Sequence, residues 1–221
     1  MTQAESSGLR RRLVLRLILT VVVLALWFWT QSLIGGRTVP ASGIGDAGHN
    51  LTAGLNSYFS GHPRAANALL IVSSGLIDAI GFFLLGRWLF GGTIRPFLGL
   101  FSLMALRQVM QALCALPAPP NMIWHYPGFP SLLVTYKVAN DFFFSGHTAI
   151  AVFGALEICR LRRSWLTIAA VLIVVFEIAT VLVLRAHYTM DVFTGIVAAL
   201  WVSTMSERVA PRLDRLVSGS T

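Results

Sequence analysis

Six stretches of this chain are so poor in charge and so rich in aliphatic side chains that they belong in hydrocarbon rather than water. They run Leu13 to Ile34, Ala66 to Phe90, Phe97 to Ala115, Ser145 to Cys159, Trp165 to Leu184 and Tyr188 to Met205. A helix rises about 1.5 Å per residue and a bilayer core is about 30 Å thick, so about 20 apolar residues cross it. Inside lipid, each backbone polar group needs a partner within its own segment, which restricts such runs to helices. The expected fold is therefore all-α, a polytopic membrane bundle with six transmembrane helices. The fourth run is the shortest, and it spans only if its first turn lies beneath a protein-lined pocket. With 56% hydrophobic and 12% charged residues and a mean hydropathy of +0.73, a chain of 221 residues lacks the polar surface of a soluble domain.

The formal net charge of +8 invites a nucleic-acid reading, which its distribution excludes. Of the 17 basic residues only Lys137 is not arginine. With six spans, Arg10, Arg11, Arg12, Arg16, Arg87, Arg95, Arg160, Arg162, Arg163, Arg208, Arg212 and Arg215 fall on one face; Arg37, Arg64, Lys137 and Arg185 fall on the other. Basic residues accumulate on the cytoplasmic side of membrane proteins, so both termini are expected there. The expected organisation is a cytoplasmic segment over 1–12, a six-helix membrane catalytic domain over 13–205 and a cytoplasmic tail over 206–221. The first run, 22 residues long, exceeds the apolar region of a signal peptide, although Val39-Pro40-Ala41 offers a weak cleavage site. Cys114 and Cys159 fall near opposite ends of neighbouring spans, too far apart for a disulfide.

Two short strings carry the chemistry. Ser145-Gly146-His147-Thr148 opens the fourth run, and His187-Tyr188-Thr189-Met190-Asp191 opens the sixth. The topology puts both on the same, non-cytoplasmic face, where they can meet. Ser145 is a natural N-cap, which sets His147 in a first turn whose unpaired N–H groups and positive dipole end favour a phosphate. On a helix His187 and Asp191 share a face, so the carboxylate can accept the imidazole N–H and leave the other ring nitrogen to attack phosphorus. Taken singly, each histidine is equally readable as a cap or a satisfied polar group. Two loops flank these strings on the same face. Residues 35–65 have turn composition with room for a short helix. Residues 116–144 carry Trp124, His125, Tyr126, Phe129, Tyr136 and Lys137, as an interfacial belt or as a lid whose aromatic faces attract a quaternary ammonium.

Charges deep in spans are costly and so informative; Asp78, Arg107 and Glu177 stand out. Arg107 lies about 12 Å below the outer end of its run. It clamps a phosphate entering the pocket, or it pairs with Asp78 or Glu177. Glu157 reads as an interfacial charge beside Arg160.

The joint pattern S-G-H-T and H-Y-T-x-D-V resembles the sphingomyelin synthase branch of the type 2 phosphatidic acid phosphatase superfamily. Arg107, Leu116-Pro117-Ala118-Pro119 and Asp141-Phe142-Phe143-Phe144 extend the resemblance, which covers roughly residues 95 to 205. It implies transfer of a phosphocholine or phosphoethanolamine headgroup from a glycerophospholipid to a ceramide-like or other lipid alcohol, through a phosphohistidine at an exoplasmic site. The catalytic residues implied are His147, His187 and Asp191, with Arg107, Ser145, Gly146, Asp141 and Arg185 around the substrate. Its partners are membrane lipids, no metal or cofactor is expected, and a homo-oligomer is compatible. The alternative is a lipid phosphate phosphatase or phospholipase C-like hydrolase, with water as acceptor. A silent scaffold or lipid transporter is a third reading, which the complete triad disfavours. The phosphatase branches also carry a lysine, six residues and then Arg-Pro, where this chain has Arg87, seven residues and then Arg95-Pro96, and they place an arginine six residues before the second histidine. Here Arg87 and Arg95-Pro96 fall on the cytoplasmic side and Val181 holds the second position, which favours the diester chemistry.

Overall fold

The computed structural model describes residues 3–36, 44–136 and 142–218, and among these there is no strand. The helices are α1 (Gln3–Gly35), α2 (Ala47–Leu51), α3 (Ala53–Gly61), α4 (Pro63–Phe90), α5 (Arg95–Leu113), α6 (Gly146–Cys159), α7 (Ser164–Val183) and α8 (Thr189–Ser218). Every apolar run of the sequence is a helix, but among the described residues only five helices, α1, α4, α5, α7 and α8, are long and apolar enough to cross a membrane. With 14 residues, α6 rises only about 21 Å. It sits in the middle of the bundle instead, packed against α4, α5, α7 and α8, with residues 147–155 buried without a break. Its Ala149, Ala151 and Gly154 meet Ala198 and Ala199 of α8 and Ile80 of α4 in one core. Small side chains permit this close approach, which is how helices gain packing energy where lipid provides no hydrophobic drive.

α8 continues to Ser218, well past the end set by hydropathy. Its extension is amphipathic: Ala210 and Leu213 pack on Trp88, Ile94 and Phe97, while Arg208 and Arg212 face outward. Asp214 closes this end by accepting from Thr93 Oγ1 at 2.7 Å and Ile94 N at 2.6 Å. Glu157, beside Arg160 as its position suggested, is also buried: it is 1% exposed, meets the Arg95 guanidinium at 2.9 Å and Arg160 at 3.2 Å. Arg95 is thereby committed about 15 Å along α6 from His147 and holds no phosphate beside it.

α1 is the peripheral helix, packed on the bundle through Val23, Leu24 and Trp27 and fastened by polar contacts along its length. Arg16 Nη1 donates to the carbonyls of Trp88, Leu89 and Gly91 at 3.0–3.2 Å, satisfying the C-terminus of α4. Farther along, Gln108 Nε2 of α5 donates to Gln31 Oε1 at 2.9 Å.

The two loops close the other end. The 35–65 loop carries two short helices, α2 and α3, where sequence suggested one. Asp78 and Glu177 act as structural partners, through hydrogen bonds to neutral groups. The Asp78 carboxylate accepts Leu132 N and Leu133 N, both at 2.9 Å, so an intramembrane charge pins the second loop into the bundle. Glu177, fully buried, accepts from Ser73 Oγ at 2.6 Å.

At Gly195 of α8 an added Cβ would lie 2.8 Å from Ser145 O and 3.5 Å from Ala149 N, both backbone atoms that cannot turn aside. Gly195→Ala is therefore expected to destabilise the folded chain by about 1–3 kcal/mol, read as a lowered melting temperature in detergent, whereas Gly75→Ala, with open space around it, is neutral or better. Equal melting temperatures for the two variants would contradict this packing.

Candidate active site

The two motif strings are joined by backbone. Ser145 N donates to Asp191 O at 3.1 Å, so the cap of α6 and the first turn of α8 are one unit. Ser145 caps α6 as expected, its Oγ accepting from Thr148 N at 3.3 Å and donating to Thr148 Oγ1 at 3.0 Å. That hydroxyl is fully buried and committed to the cap, so it does not line the cleft. Gly146 does, and His147 follows it in the first turn of α6, 7% exposed, with its Nε2 unpartnered. Trp124 of the second loop stands edge-on to this imidazole, ring centroids 5.2 Å apart, and is itself held by Nε1 donating to Thr135 O at 3.1 Å.

His187 precedes α8 instead of lying on it, so helical spacing does not produce its contact with Asp191. Tyr188 and Asp191 cap each other: Tyr188 N donates to Asp191 Oδ2 at 2.9 Å and Asp191 N to Tyr188 O at 3.0 Å. Asp191 Oδ2 then lies 3.7 Å from His187 Nδ1, beyond hydrogen-bond range. The ring's partner is the Phe142 carbonyl, 2.8 Å from Nδ1. A carbonyl only accepts, so Nδ1 carries the proton and Nε2 keeps its lone pair. The expected tautomer is therefore set by Phe142, while Asp191, fully buried, places its carboxylate beside the ring without a hydrogen bond to it.

Both imidazoles open on one cleft, lined also by Trp27, Met104, Arg107, Trp124, Leu133, Phe142 and Gly146. Arg107 Nε donates to Phe144 O at 2.9 Å, and its guanidinium lies against Gly146 at the α6 N-terminus. Arg185 is outside this group. Its Nη1 donates to Pro120 O at 2.9 Å and Nη2 to His49 O at 3.4 Å, tying the two loops together at the rim. Asp141 and Lys137 lie outside the described residues.

Sequence reasoning missed the clamp behind His187. Asp46 caps α2 by accepting from His49 N at 3.0 Å, and it also accepts Thr189 N and Thr189 Oγ1, both at 2.6 Å. His49 Nε2 donates to His187 O at 2.9 Å. The first loop thus grips the His187 segment across some 140 residues of chain. The only local signal was an aspartate three residues before a histidine at a helix start. Trp27, from the peripheral helix, was also unforeseen as a cleft residue.

This arrangement defines a multi-pass helical membrane protein with a histidine pair buried in its bundle. Residues 45–208 match the family model AtPDCT1/2, and the chain belongs to that family. Phosphatidylcholine:diacylglycerol cholinephosphotransferase 1 of Arabidopsis thaliana is 23% identical over 187 residues, covering 85% of this chain and 60% of the plant protein. The chain thus spans less than two thirds of that relative's length. No solved structure matches it.

Burial opposes ionisation of Asp46, but the hydrogen bonds from Thr189 and His49 outweigh it and hold the carboxyl below its ordinary value. A folded value below the unfolded one gives stability that is full above about pH 4 and lost as pH falls through the folded value. The melting-temperature advantage of the native chain over Asp46→Asn should therefore be present near about pH 6 and shrink toward about pH 3. An advantage independent of pH would show that the clamp does not depend on the carboxylate.

Proposed function

We propose that this protein moves a phosphocholine headgroup from a glycerophospholipid to diacylglycerol, through a phosphohistidine on His187. The observation that carries the reading is the imidazole whose Nδ1–H is committed to the Phe142 carbonyl, which leaves Nε2 as a nucleophile in a cleft shared with His147 and Arg107. The phosphate of the donor lies between Arg107 and the N–H groups opening α6, where cation and helix dipole both favour an anion. His187 Nε2 forms a bond to phosphorus as the bond to the glycerol oxygen breaks, and a protonated His147 Nε2 gives its proton to that leaving oxygen. Diacylglycerol departs. In the second half-reaction the neutral His147 takes the proton of an incoming lipid hydroxyl, whose oxygen displaces His187 from phosphorus. Asp191 stabilises the positive charge that the ring carries while phosphorus is bound to Nε2. Where sequence left a ceramide-like or other lipid alcohol open, the plant relative's name supports diacylglycerol as acceptor.

The wider organisation is part of the same proposal. α6 acts as a sixth, recessed span, both termini are cytoplasmic, and the site opens on the other face, with 1–12 and 206–221 flanking the catalytic domain at 13–205. The uneven distribution of arginine supports this orientation.

In vesicles containing headgroup-labelled phosphatidylcholine and a diacylglycerol of distinct acyl composition, the label should appear on the new lipid. His187→Ala should abolish transfer, and His147→Ala should lower it by about 10²–10⁴-fold. Label found only as free phosphocholine would make the protein a hydrolase; label found only on added ceramide would restore the sphingomyelin synthase-like acceptor.

A further inference from the structure

Between its two fastenings α1 stands off α5 and leaves an apolar groove of about 310 Å³. Thr20, which accepts from Trp88 Nε1 at 3.2 Å, marks one end, and Gln108, bonded to Gln31, marks the other. Val23 and Leu24 of α1 and Leu100 and Ala105 of α5 line the walls. From Phe97 to Gln108 the groove follows about 16 Å of helix, close to half of a bilayer core about 30 Å thick. It is not isolated from the chemistry: Trp27, Met104 and Leu133 line both this groove and the histidine cleft.

At that junction lies a polar atom without a partner. Trp27 is 8% exposed and its Nε1–H makes no hydrogen bond. A buried donor left unpaired costs about 1–3 kcal/mol, so its occurrence at the meeting point of an apolar groove and a catalytic cleft points to a ligand with an acceptor there. A glycerolipid places its groups in that order: phosphate or hydroxyl, then an ester carbonyl, then an acyl chain.

We propose that the α1–α5 groove holds the diacylglycerol body of the lipid, one acyl chain running down it from the cleft and Trp27 Nε1 donating to an ester carbonyl at the junction. This rests on the transfer reading above and adds where the lipid lies and what recognises it. Donor and acceptor share that body, so one groove serves both half-reactions in turn. Ceramide fits less well, because beside its reacting hydroxyl it brings two donors, the amide N–H and the second hydroxyl, to an almost wholly apolar lining.

The test is a photoactivatable diacylglycerol carrying a diazirine midway along one acyl chain, illuminated with the full chain in phosphatidylcholine vesicles and mapped by peptide mass spectrometry. Adducts are expected within residues 20–30 and 97–105, competed by excess unlabelled diacylglycerol and lost in Ala105→Trp, which fills the groove. Labelling needs no turnover and is expected equally in His187→Ala. Groove adducts without any headgroup transfer by the native chain would uphold the groove and reject the transfer reading. Transfer with adducts scattered over outward-facing positions such as Leu172 and Phe193, insensitive to competitor, would overturn the groove and leave transfer standing. In the native chain a dialkyl ether analogue, which lacks the carbonyls, should compete roughly two- to tenfold less well than the ester. In Trp27→Phe the two should compete equally. Equal competition in the native chain would overturn the carbonyl contact, and stronger competition by ceramide would overturn the choice of occupant.

Discussion

The hydrogen bond from Ser145 N to Asp191 O holds the rest of the site together. It fastens the start of α6 to the start of α8, and each start carries one imidazole. Everything near it serves to make that approach close: Gly195 presents no Cβ to Ser145 O, Asp191 spends one carboxylate oxygen capping its own helix at Tyr188 N, and Ser145 spends its hydroxyl on α6. A histidine pair separated by forty residues of sequence becomes one site because two helix N-termini share a backbone contact.

A polar centre of this kind inside an apolar bundle needs its groups satisfied by protein, since lipid satisfies none. The loops do much of this. Asp46 and His49 hold the His187 segment from one side, Phe142 orients its ring, and the second loop, anchored on Asp78, brings Trp124 to the edge of His147. The intramembrane carboxylates thus act on architecture. The short α6 follows from the same constraint: wrapped by four helices and buried without a break over 147–155, it meets protein where a longer span would meet lipid.

The helices were legible because length and hydropathy decide them almost alone in a membrane chain. α8 was misjudged where the pattern turned from apolar to amphipathic, since Ala210 and Leu213 give too weak a hydropathy signal beside three arginines. At the site, residue type and spacing pointed to His147, His187 and Arg107, and the structure brings these three to one cleft. What sequence could not give were contacts made by backbone or across great separation: the Phe142 carbonyl that fixes the His187 tautomer, the Asp46 clamp, and Trp27 reaching in from a helix that otherwise faces lipid. Helical spacing paired His187 with Asp191 for a reason that the structure replaces, because His187 lies before the helix begins.

The account stands on a covalent bond between His187 and the headgroup. Incubation of the native chain with labelled phosphatidylcholine without added acceptor, followed by an alkaline quench and peptide mass spectrometry, tests it directly. A phosphocholine adduct on the peptide containing His187, absent in His187→Ala and discharged when diacylglycerol is added, is the predicted result. Headgroup transfer at an undiminished rate with no such adduct, or with the adduct on another residue, would contradict it.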